Sequence, residues 1–103
     1  MIRSLEYDVF DIVDKFVAGD TQSGFRQLEL VLSRGKSPNE VMGLIAWRLR
    51  KLYAGGRRAS QKFTPDRARM AIKRFADADW AVKSGAQKDR LALETAIMDV
   101  FAK

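Results

Sequence analysis

A chain of 103 residues, 47% of them hydrophobic, fits one small domain and leaves little room for a second. It contains neither cysteine nor histidine, which excludes a disulfide framework, argues strongly against a zinc site and removes the commonest general base. The net charge of +6 is unevenly placed: between Arg48 and Arg74 ten basic residues accompany one acid, Asp66, while the rest of the chain is slightly negative. Such a basic middle suits an anionic partner, and equally a solvated surface with internal pairing.

In chain order, Leu5, Val9, Ile12, Val13, Phe16 and Val17 follow three- and four-residue steps with Asp8, Asp11, Asp14 and Lys15 between them, which predicts a helix over 5–18. Gly19 suits the left-handed position that ends it. Asp20 or Thr21 is placed to cap a second helix over 21–34, carrying Phe25, Leu28, Val31 and Leu32 and stopping at Gly35. Ser37-Pro38-Asn39-Glu40 combines a capping serine, a first-turn proline and a capping-box glutamate. The third helix, 38–54, runs through Val41, Leu44, Ile45, Arg48, Leu49 and Leu52, with Trp47, Arg50, Lys51 and Tyr53 on its other face.

The pattern lapses over 55–63 into a basic, glycine-containing stretch, expected to be a mobile linker. Thr64-Pro65-Asp66 repeats the cap-then-proline signal and opens a helix over 65–84, closed by Gly85. Asp89 is expected to cap a last helix, 90–102, with Leu91, Leu93, Ala96, Ile97, Val100 and Phe101 on its apolar side. Nothing alternates with period two. The fold predicted is all-α, one domain over 1–103: a bundle of about five antiparallel amphipathic helices. No apolar run reaches membrane-spanning length, and Met1–Glu6 lacks a signal-peptide core, so a soluble, cytoplasmic protein with no membrane contact is expected.

Catalytic, cofactor and metal sites are not expected. No phosphate-cradling glycine motif occurs, and Gly55-Gly56 lies between helices rather than after a strand. Asp77 and Asp79, two apart on a helix, point to different sides and cannot act as a carboxylate pair. Asp79 shares a stripe with Ile72, Phe75 and Val82, so its carboxylate needs a partner. Lys83 is available at i+4; the alternative is a pair with Arg48 that fixes how the third and fourth helices dock. Trp47, Tyr53 and Trp80 lie off the apolar stripes and, with Arg50 and Phe101, are candidate interface residues, since exposed aromatics beside arginines suit protein interfaces and stack on unpaired bases. Arg57, Arg58 and Lys62 are candidate phosphate contacts, on a weak signal.

Several stretches together resemble a known family: Val9-Phe10-Asp11-Ile12-Val13-Asp14, the Ala18-Gly19-Asp20 turn, the helix end from Leu28 to Gly35, Trp47-Arg48-Leu49-Arg50-Lys51-Leu52, and above all Ala78-Asp79-Trp80-Ala81-Val82-Lys83-Ser84-Gly85 followed by Asp89-Arg90-Leu91-Ala92-Leu93-Glu94. In that order and over nearly the whole chain, they look like the C-terminal domain of the delta subunit of the bacterial DNA polymerase III clamp loader. The resemblance implies a collar module of a longer cytoplasmic protein, whose two preceding AAA+ domains bind the sliding clamp while the helical domain joins those of other loader subunits in a ring. It also implies a subunit that does not hydrolyse ATP. One departure stands out: the family usually has a pair of short helices where Ala54 to Phe63 leaves no room for them, which puts any collar contact of that pair in doubt. The rival reading is a free-standing helical adaptor or nucleic-acid-binding domain using the 48–74 stretch.

Overall fold

The computed structural model describes residues 4–54 and 64–101; the linker 55–63, with Arg57, Arg58 and Lys62, lies outside the described residues. Five helices follow in order, α1 (Ser4–Val17), α2 (Thr21–Ser33), α3 (Pro38–Ala54), α4 (Pro65–Lys83) and α5 (Asp89–Phe101), with no strand among the described residues. The fold is all-α.

The helix ends follow local chemistry. Asp20 caps α2, its Oδ1 accepting from the Ser23 amide at 3.4 Å, and Ser37 Oγ accepts from the Glu40 amide at the start of α3. Thr64 Oγ1 accepts from the Arg67 amide at 3.2 Å with Pro65 in the first turn of α4. The Asp89 carboxylate takes the Arg90 amide at 2.7 Å, and α5 starts at Asp89 itself. Gly19 and Gly85 adopt φ of 92° and 81° and close α1 and α4 in Schellman turns, in which Asp20 and Ala86 donate back to the Lys15 and Ala81 carbonyls. Replacing Thr64 with alanine leaves a first-turn amide unpaired and is expected to destabilise the domain by about 1 kcal/mol, read as a lower urea midpoint.

The helix α3 is the hub, packing on α1, α4 and α5, while α2 leans chiefly on α1. The core joins Val9, Ile12, Val13 and Phe16 of α1 with Val41, Met42, Ile45 and Leu49 of α3, Phe75 of α4, and Leu93 and Ile97 of α5; no polar or charged residue is buried among the described residues. One apolar assignment fails. Leu91 is 54% exposed, because it lies 200° around the helix from Leu93, and Ala92 takes the core position instead.

Candidate docking surface

On α1, Tyr7, Phe10 and Asp14 follow i, i+3, i+7 spacing, which sets them on one flank beside the apolar stripe. On α3, Trp47, Arg48 and Lys51 occupy the flank that meets it. Phe10 and Trp47 stack with ring centroids 5.3 Å apart and planes 20° from parallel. The Arg48 guanidinium lies 5.3 Å from the Phe10 ring centre and grips Asp14, Nη2 donating to both carboxylate oxygens at 3.2 and 3.1 Å. The Lys51 ammonium lies 5.2 Å from the centre of the Trp47 ring. Trp47 keeps 45% of its surface exposed, and Tyr7 is exposed one turn before Phe10 on α1.

The arrangement yields an aromatic ridge at the α1–α3 seam with a definite charge. Asp14 neutralises Arg48, whereas the exposed Arg50 and Lys51 pair with no carboxylate among the described residues. Arg50 is exposed as expected, and Tyr53 falls in the last turn of α3 with its side chain outside the described residues. Trp80, 71% exposed, stands on the outer face of α4 with Asp77 one turn back and Lys73 two turns back. Phe101, half-buried, stacks on Phe16 at 4.9 Å and tilts against Phe75 at 6.4 Å, so it packs against one end of the core.

Of the two partners offered for Asp79, the structure has Lys83 and not the alternative, Arg48. Arg48 holds α3 to α1 through Asp14, and the Asp79 carboxylate, 33% exposed, pairs with Lys83 one turn on at 2.9 Å. A local i,i+4 pair reached by solvent contributes a few tenths of a kcal/mol, so Asp79→Ala is expected to leave thermal stability within about 0.5 kcal/mol of the parent. Phe10 and Tyr7 escaped the sequence reading; the signal was a second aromatic pair at i, i+3 beside the main stripe.

Two open grooves complete the surface. One of about 740 Å³ between α4 and α5 is lined by Met70, Lys73 and Asp77, with Arg74 paired to Asp99 at 2.9 Å and Arg67 donating to the Val100 carbonyl at 3.0 Å. The other, about 710 Å³ along α1 and α2, includes Lys15 and Gln27, which hydrogen-bond each other. Hydrogen bonds from Gln27 and then Lys15 hold the nearby Asp11 carboxyl below its ordinary value. Its small stabilising effect is therefore present above the ordinary carboxylate range and lost as pH falls through the lowered pKa. Among the described residues no cluster of three or more acidic side chains could hold a metal ion, and no helix is long and apolar enough to cross a membrane.

Among the described residues the fold is all-α with five helices, and an aromatic, cation-edged ridge runs along the α1–α3 seam. No protein-family model matches the chain, and neither the curated proteins nor the solved structures hold a match.

Proposed function

We propose that this chain is an assembly module, the collar domain of a clamp-loader delta subunit, which supports the complex that loads the sliding clamp on DNA. The observation that carries this reading is the half-exposed Trp47, held rigid by Phe10 and Lys51 on a face from which Arg48 has been neutralised. A pre-ordered aromatic ringed by charge is the composition of a protein-binding hot spot. The resemblance of Trp47–Leu52 and Ala78–Gly85 to the family supplies the partner class. On this account the module has no catalytic role of its own, and contact with the sliding clamp belongs to domains outside this chain.

Part of the basic stretch is engaged within the chain: Arg48, Arg69 and Arg74 are each paired with a carboxylate, and Arg67 is bonded to the Val100 carbonyl. Arg50 and Lys51 remain available to an anionic partner, so salt dependence separates an acidic protein face from phosphate. Mixing the chain with the purified ATPase and delta-prime subunits of the loader, followed by gel filtration, tests the proposal. Co-elution of the chain with those subunits is expected; elution of every component alone would refute it.

A further inference from the structure

We infer that the ridge Gly43–Trp47–Arg50–Lys51 of α3, widened by Phe10 of α1, is the face that receives a partner, and that the partner is a protein helix bearing carboxylates. The inference deepens the collar proposal and rests on it, naming the surface and the chemistry of what docks there.

Three observations converge. The first is charge. With Arg48 neutralised by Asp14, the charge without a carboxylate counterpart among the described residues beside Trp47 is that of Arg50 and Lys51, so the complementary surface is acidic. The second is the ring itself. One face of Trp47 is stacked on Phe10 and an ammonium lies over the ring. A nucleobase needs a free aromatic face and would have to displace one of them, whereas a protein side chain can pack on the exposed edge. The third is Gly43, one turn before Trp47 on the same exposed ridge. A glycine inside a helix is unfavourable relative to alanine, yet a Cβ built there meets no atom of another described element within 4 Å. Packing among the described residues does not call for it; a second helix lying against the ridge does.

Calorimetric titration of the chain against the loader subunit with which it co-elutes tests the assignment, with circular dichroism to establish folding of each variant. The double reversal Arg50→Glu/Lys51→Glu is expected to weaken binding by about tenfold or more, while the charge-matched Arg26→Glu/Lys73→Glu on α2 and α4 binds as the parent does. Gly43→Gln is expected to raise Tm, because glutamine is the better helix former, and to weaken binding by about tenfold. Parental affinity in both ridge variants, or an equal loss in the matched control, overturns the inference while leaving the collar proposal standing. Failure of the parent chain to bind any loader subunit overturns both. Tight binding of a dT oligonucleotide that is lost in Trp47→Ala overturns the protein occupant.

Discussion

Replacing Phe75 with alanine is expected to destabilise the domain by about 3–5 kcal/mol, the largest effect of any single truncation here. Phe75 is fully buried, on the helix that packs against both α3 and α5, and its ring tilts against Phe101. Removing it forfeits the transfer free energy of the ring and opens a void that surrounding helices close only in part. A domain of this size has a total stability of about 5–15 kcal/mol, so the loss is a large share of it. Urea denaturation followed by circular dichroism reads the effect as a lower midpoint with an unchanged slope. Phe75→Leu, which keeps most of the volume, should retain much of the stability; a parental midpoint for Phe75→Ala would mean that the core does not meet at this ring.

Gly24→Ala is expected to destabilise by about 1–3 kcal/mol, although the same exchange in most helix interiors is favourable by about 1 kcal/mol. A Cβ on Gly24 would stand 2.9 Å from Cε1 and Cζ of Phe16. That ring cannot swing aside, because Phe25 meets it edge-on at 5.0 Å and Phe101 stacks on it at 4.9 Å. The two exposed-versus-buried helix glycines therefore form an internal control: Gly43→Ala, with open space around it, should raise stability by about 1 kcal/mol while Gly24→Ala lowers it. Thermal melts of the two variants side by side read the opposite signs. A gain for both would show that the Phe16 ring yields, and that the cluster joining α1, α2 and α5 is looser than its geometry implies.

Helix positions were readable in the sequence because their signals are local. Ser37-Pro38, Thr64-Pro65 and Asp20 each act on amides within three residues, and Gly19, Gly35 and Gly85 each set one backbone conformation, so no knowledge of the packing is required. The pairing of helices was less accessible. Arg48 was free, on the sequence alone, to reach Asp79 or any other carboxylate; its choice of Asp14 depends on α1 lying beside α3, which no spacing along the chain encodes. Phe101 could be assigned to the apolar side of its helix, but that Phe16 and Phe75 would meet it from two other helices was not visible along the chain. The docking ridge was half visible: Trp47 and Arg50 could be named, while Phe10 joined them only once α1 was set against α3.

Salt dependence of binding is the most direct measurement of whether this domain works by gripping proteins rather than nucleic acid. A surface built on an aromatic anchor with two cations at its edge should hold its loader subunit with less than about a tenfold change in Kd between about 50 and 200 mM salt. A chain that ignores the loader subunits and instead binds DNA, with affinity falling by about a thousandfold over the same range, would contradict the account.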